Sequence, residues 1–231
     1  MERKASTHLE GKEMKTVHEF VTPVLAALFS VISFAWSVPA GAASGEAAPQ
    51  ASAGERQTAV FAGGCFWGVD AVFKHLKGVT EVESGYAGGE AATAHYERVG
   101  TGTTGHAEAV RVRFDPQRIS YPQLLQVFFS VAHDPTQLDR QGPDVGSQYR
   151  SAIFYADPGQ EKAAQAHIQQ LTAARAFSRP IVTQVVPLRQ FYPAEAYHQN
   201  YLALHPRQPY IVFNDLPKLE NLRKRFPELY Q

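Results

Sequence analysis

Thr58-Ala59-Val60-Phe61-Ala62-Gly63-Gly64-Cys65-Phe66-Trp67-Gly68-Val69-Asp70-Ala71-Val72-Phe73-Lys74-His75-Leu76 is the stretch on which the fold turns. Thr58-Ala59-Val60-Phe61 reads as a strand, and Gly63-Gly64 breaks it. From Cys65 onward Val69, Val72, Phe73 and Leu76 recur at helical spacing, so a helix is expected to begin at or just before the cysteine.

Outward from this unit the chain keeps alternating strand-like and helix-like segments. Residues 79–85 read as a strand, and 106–114 as a clearer one with strict alternation. Ser120 caps a helix carrying Leu124, Leu125, Phe128 and Phe129, which His133-Asp134-Pro135 ends. Residues 151–155 form a strand, Asp157-Pro158 opens a helix to about Ala176, and 181–188 make another strand. A short helix is expected over 194–204. Asp215-Leu216-Pro217 starts a last amphipathic helix with Leu219, Leu222 and Phe226. No internal repeat is visible. This order implies an α+β fold, a two-layer sandwich of helices on one mixed sheet, with a ferredoxin-like core and extra C-terminal segments.

The chain has 231 residues, 44% of them hydrophobic, enough for one cored domain. That catalytic domain is placed at residues 58–231. Ahead of it, Lys12 and Lys15 precede an apolar run over 20–36, and Val38-Pro39-Ala40 and Gly41-Ala42-Ala43 resemble export cleavage sites. Residues 1–43 therefore read as a signal peptide or, if uncleaved, a membrane anchor, since the run is just short of the roughly 20 residues that span a bilayer. The chain is accordingly expected outside the cytosol, in the periplasm or anchored facing outward. Residues 44–57, rich in Ala, Gly, Ser, Pro and Glu, form a flexible linker by composition. Lys plus Arg and Asp plus Glu number 22 each, and removing residues 1–43 takes four of each, leaving 18 and 18. No basic excess remains for nucleic acid, and no nucleic-acid partner is expected.

One cysteine rules out an internal disulfide, a CxxC pair and a thiolate zinc cluster. A lone Cys is often only a small buried hydrophobe. Cys65, however, follows two glycines at an expected helix N-terminus, where free N–H groups and the helix dipole favour negative charge and thus a thiolate. Phe66 and Trp67 follow directly; each alone could be ordinary core, but beside Gly63-Gly64-Cys65 they suggest an apolar pocket. Strand alternation puts His106, Glu108, Val110, Val112 and Phe114 on one face. Glu108 then lies among apolar groups, where a carboxyl stays protonated near neutrality and can act as a general acid, unless the strand end frays and the side chain reaches water.

Gly64-Cys65-Phe66-Trp67-Gly68 resembles the active-site signature of the A-type peptide methionine sulfoxide reductases, and further blocks follow in the family's order. They are Gly85-Tyr86-Ala87-Gly88-Gly89, Gly105-His106-Ala107-Glu108-Ala109-Val110, His133-Asp134-Pro135-Thr136, residues 142–151, and Phe191-Tyr192-Pro193-Ala194-Glu195 with Tyr197-His198-Gln199. The resemblance runs from Val60 nearly to the C-terminus. It implies an enzyme in which Cys65 attacks the sulfur of methionine sulfoxide, free or in proteins, Glu108 protonates or hydrogen-bonds the oxygen, and Tyr96 and Tyr149 help hold it. Phe66 and Trp67 would enclose the S-methyl group and Asp144 would shape the polar side. The family likeness also implies the S epimer at sulfur.

Attack would leave a sulfenic acid on Cys65. Many family members carry further cysteines in a C-terminal tail; this chain has none and resembles the single-cysteine branch. The resemblance thus implies no prosthetic cofactor and no metal, with an external thiol (thioredoxin, glutaredoxin or glutathione) as reductant and oxidised proteins as clients; the chain is expected to act as a monomer. The nine histidines show no HExxH or other paired metal-ligand spacing. Two other classes stay open on the residues alone: a cysteine-nucleophile hydrolase or acyltransferase, which needs a His base turned to the thiol, and a non-catalytic peptide-binding module.

Overall fold

The computed structural model describes residues 56–231. The leader expected over 1–43 and nearly all of the linker lie outside the described residues. Six strands form one sheet: β1 (Gln57–Gly63), β2 (Val79–Ala87), β3 (Ala107–Phe114), β4 (Ser151–Tyr155), β5 (Gln184–Pro187) and β6 (Phe191–Pro193), in the spatial order β5-β4-β1-β3-β2-β6. All neighbours are antiparallel except the parallel pair β4–β5. The main helices are α1 (Phe66–Lys74), α2 (Tyr121–Val127), α3 (Pro158–Ala173) and α4 (Leu216–Arg225).

The run β1-α1-β2-β3-α2-β4, with spatial order β4-β1-β3-β2, is the expected ferredoxin-like core. The extra C-terminal segments supply both sheet edges, β5 beside β4 and β6 beside β2. Register follows the hydrophobic pattern. Phe61 on β1 sits opposite Val110 on β3 and Ile153 on β4, and its ring stacks between Phe73 (5.0 Å) and Phe128 (4.9 Å). Val110, Val112 and Phe114 enter that main core, while Ala107 and Ala109, one step out of phase, join Val60, Ala62, Phe154 and Phe191 in a second apolar cluster.

Local chemistry explains most boundaries. Ser120 and Gln123 form a reciprocal capping box before α2, whose last turn widens through Phe128–Ala132 and stops at His133. Asp157 caps α3 and Pro158 occupies its first turn. α3 stops at Ala173, short of the expected 176, and Arg175 just beyond adopts φ 50°. The strand expected over 181–188 is confined to Gln184–Pro187. The helix expected over 194–204 is two short turns, Ala196–His198 and Tyr201–Leu204, separated by Asn200 at φ 56°. A left-handed residue interrupts the helical hydrogen-bond ladder, and Asn tolerates that conformation better than most. β6 has no expected counterpart. It reaches β2 because Gly85 lacks a side chain: a Cβ there would lie 2.3 Å from the Tyr192 carbonyl oxygen.

Candidate active site

Cys65 stands where β1 hands over to α1, as the residue capping the helix. The turn that delivers it depends on Gly64, whose φ is +92° and whose Cβ would lie 2.5 Å from Gln141 Cβ. Gln141 is itself fixed: its Oε1 accepts from the Asp134 amide and its Nε2 donates to the Asp134 carbonyl, both at 3.1 Å. It belongs to a two-rung hairpin, Arg140–Gln141 with Asp144–Val145, which brings Asp144 to the same neighbourhood.

The sulfur is buried, with 8% of Cys65 exposed. Burial raises its thiol well above the ordinary value, and the charges of Glu108 and Asp215 push the same way; the Trp67 amide and the Lys218 ammonium offset this only in part. Burial thus opposes the thiolate that the helix N-terminus favours. A nine-residue helix supplies a modest field, and desolvation of the anion together with two nearby carboxyl groups outweighs it.

Glu108 is inside, 3% exposed, rather than at a frayed strand end. It sits on β3 opposite Tyr86, and its Oε2 accepts a 3.0 Å hydrogen bond from the amide of Phe66, the residue after Cys65. Burial pushes its carboxyl up to about 8, against the pull of the Phe66 hydrogen bond and with help from Asp144. Burial thus favours the neutral acid expected from the alternation, and the Phe66 bond holds it next to the cysteine.

Tyr96, Tyr149 and Asp144 converge here as well. Both phenols are kept protonated, first by burial and then by the charge of Glu108, with Cys65 and Asp144 also acting on each. Tyr96 opens a short helix, Tyr96–Val99, and its amide donates to Glu195 Oε1 at 2.9 Å, while Tyr86 donates its hydroxyl to Glu195 Oε2 at 2.8 Å. Asp144 accepts from the Tyr210 hydroxyl; burial raises its carboxyl, and Tyr210 and Lys218 lower it.

The two aromatic residues after Cys65 divide their work. Phe66 is buried in the main core against Tyr86 and His198. Trp67 is half-buried, stacks on Tyr201 at 3.7 Å, meets Tyr210 edge-on at 5.9 Å, and donates Nε1–H to His198 Nδ1 at 3.2 Å. That bond makes His198 the acceptor at Nδ1. None of the hydrogen bonds made by histidines among the described residues reaches the thiol: His106 bonds Gly89 and Glu90, and His133 bonds Phe128 and Ser151. The His base a cysteine hydrolase requires is not turned to the sulfur. Among the described residues no group of three or more His, Cys, Asp or Glu could hold a metal ion. A separate cleft of about 840 Å³, lined by Phe129, His167, Phe177 and Arg179 among others, shares no residue with this cluster.

All seven residues singled out from sequence thus gather around one helix start. Glu195, His198, Tyr201, Tyr210, Asp215 and Lys218 join them and were not singled out. Glu195 and His198 stand inside the motif blocks without a role; Asp215 reads in sequence only as a helix start, because what it touches is decided by how α4 packs on α1.

Comparison with known proteins agrees with the geometry. A family model described as peptide methionine sulfoxide reductase matches residues 57–230. A peptide methionine sulfoxide reductase of Mesorhizobium japonicum is 58% identical over 174 residues, covering 75% of this chain and 89% of that protein. One from Thermus thermophilus is 54% identical over 173 residues, covering 75% and 97%. Among solved structures, Mxr1 from Saccharomyces cerevisiae in reduced form superposes with a TM-score of 0.63 at 33% identity, over 67% of this chain and 88% of that one. Methionine sulfoxide reductase A of Corynebacterium diphtheriae gives 0.58 at 36%, over 66% and 76%. The chain belongs to the peptide methionine sulfoxide reductase family.

Proposed function

We propose that this enzyme reduces methionine-S-sulfoxide, free and in proteins, to methionine through a sulfenic acid on Cys65. The observation that carries the reading is the Glu108 carboxyl, kept neutral by burial and bonded to the Phe66 amide one residue beyond the cysteine. Sulfoxide oxygen leaves only once protonated, so a nucleophile needs an acid at its side. Trp67, braced by Tyr201 and His198, offers an apolar wall for the S-methyl group. The Tyr96 and Tyr149 hydroxyls donate to the oxygen as charge develops there.

The protons balance from a neutral pair. Cys65 Sγ attacks the sulfoxide sulfur, Glu108 gives its proton to the oxygen, and the thiol proton passes to the carboxylate so formed. Transfer of the oxygen to Cys65 leaves the sulfenic acid and releases the thioether, with Glu108 protonated as at the start. One external thiol then condenses with the sulfenic acid to give a mixed disulfide and water, and a second thiol releases Cys65 and carries away the disulfide. With one cysteine in the chain, both thiols come from outside. Thioredoxin, glutaredoxin and glutathione are the candidate reductants, and oxidised proteins the clients.

Export by the leader at 1–43 would place a monomeric enzyme in the periplasm, or hold it at the membrane if the leader stays. Among the described residues no helix is long and apolar enough to cross a membrane. The function is tested by offering each sulfoxide epimer with monothiol or dithiol reductants. Turnover of the S epimer alone, lost in Cys65→Ser, is expected; equal turnover of both epimers, or activity in the serine variant, would overturn it.

A further inference from the structure

Asp215 occupies the position capping α4 but makes no cap hydrogen bond with its side chain. A helical turn over Ile211–Asp215 runs straight into α4, and the Leu216 amide already donates to the Ile211 carbonyl, so the Asp215 carboxylate does not serve as a cap. Instead its carboxylate turns inward, wholly buried, and Oδ1 meets Lys218 Nζ at 3.1 Å, with Lys218 only 18% exposed. Oδ2 has no hydrogen-bond partner. Both groups press on Gly68: a Cβ there would lie 2.1 Å from Asp215 Oδ1 and 2.6 Å from Lys218 Nζ. Cys65 is the residue capping α1 and Gly68 is the third residue of that helix, the two positions that a helix start brings side by side. The ion pair therefore lies on the same side of α1 as the sulfur. The missing side chain at Gly68 is what lets it come so close.

Burying an ion pair is costly, and removing one partner costs more. A pair used only to hold α4 in place could have been replaced by apolar packing. The titratable or charged groups that face Cys65 are Glu108 on β3, Asp215 just before α4, Lys218 in its first turn, and the phenols of Tyr96, Tyr149 and Tyr210. Lys218 is the cation of that set.

We propose that the Asp215–Lys218 pair is a positioning device for the sulfur of Cys65: Lys218 favours the anion as Cys65 attacks and again as it leaves a mixed disulfide, and Asp215 fixes that ammonium while damping its charge. In the leaving step an external thiolate forms a new sulfur–sulfur bond, the bond to Cys65 breaks, and Cys65 departs with the electron pair. A leaving thiol of lower pKa departs faster. In a chain that relies on outside thiols this step recurs in every cycle. The inference rests on Cys65 being the reacting sulfur, but its test needs no substrate.

Because the protein has one cysteine, the pH dependence of iodoacetamide alkylation reports Cys65 alone. Lys218→Met should slow alkylation about tenfold at fixed pH and move the profile upward, while Lys218→Arg restores the rate to within about threefold. Asp215→Asn should shift the profile the opposite way, toward faster alkylation. The two variants thus carry predictions of opposite sign, so a folding defect in one leaves the other to decide. An unchanged profile in Lys218→Met, or a slower reaction in Asp215→Asn, would overturn the proposal. Loss of turnover in Cys65→Ser with these profiles unchanged would leave the enzymatic reading standing and the pair's role refuted.

Discussion

Glu108→Gln should make this protein more stable and nearly inactive, and the pH dependence of the gain identifies its cause. The folded chain holds the Glu108 proton up to about 8, whereas the carboxyl in an unfolded chain loses it near 4.5. Between those values the folded state binds the extra proton, so the stability Glu108 contributes is fully present below 4.5 and is lost as pH rises through 8. At pH 7 the interval above 4.5 is 2.5 pH units, which at about 1.36 kcal/mol each comes to about 3 kcal/mol. Glutamine carries no such cost. Its carbonyl can still accept from the Phe66 amide, and its NH₂ mimics the protonated oxygen. It cannot surrender a proton to a leaving oxygen, a loss worth roughly 10²- to 10⁴-fold in turnover. Urea titrations of both proteins at pH 4.5, 6, 7 and 8, beside turnover assays with a dithiol, check both halves. A stability difference that does not grow with pH, or full activity in the amide variant, would refute the reasoning.

Gly64→Ala forces φ +92° on a residue with a Cβ and drives that atom into Gln141, so a loss of at least about 1–2 kcal/mol is expected by denaturant titration. Glu195→Ala strands the Tyr86 hydroxyl and frees the Tyr96 amide; a cost of about 1–3 kcal/mol and a raised KM are expected from unfolding curves and steady-state kinetics. Tyr210→Phe removes the hydroxyl that holds Asp144 and pulls its carboxyl down, so the Asp144 carbon resonance in NMR should titrate at higher pH than in the parent.

Much of the sheet was legible because its strands are punctuated by side-chain chemistry. Alternation over β3 placed Glu108 on the apolar face, and the caps at Ser120 and Asp157 marked two helices. β6 was not legible: three residues ending in proline carry no period, and their place beside β2 depends on Gly85 being bare. Burial works against the thiolate expectation, and a dipole argument from a helix start knows nothing of burial. The charged groups that act on Cys65, Glu108 on β3 and Asp215 and Lys218 at the start of α4, come from segments far from it in sequence. Asp215 and Lys218 were unreadable for the same reason, since their target is a glycine about 150 residues earlier.

In the proposed reaction oxygen passes from the substrate to Cys65 with help from a neutral Glu108. A single-turnover experiment tests it directly: enzyme is mixed with excess methionine-S-sulfoxide in the absence of any reductant, then methionine and free thiol are counted by mass spectrometry after trapping. One methionine formed per chain, with the Cys65 thiol replaced by a trapped sulfenic acid, is the expected result. Methionine released while Cys65 keeps its thiol would contradict it.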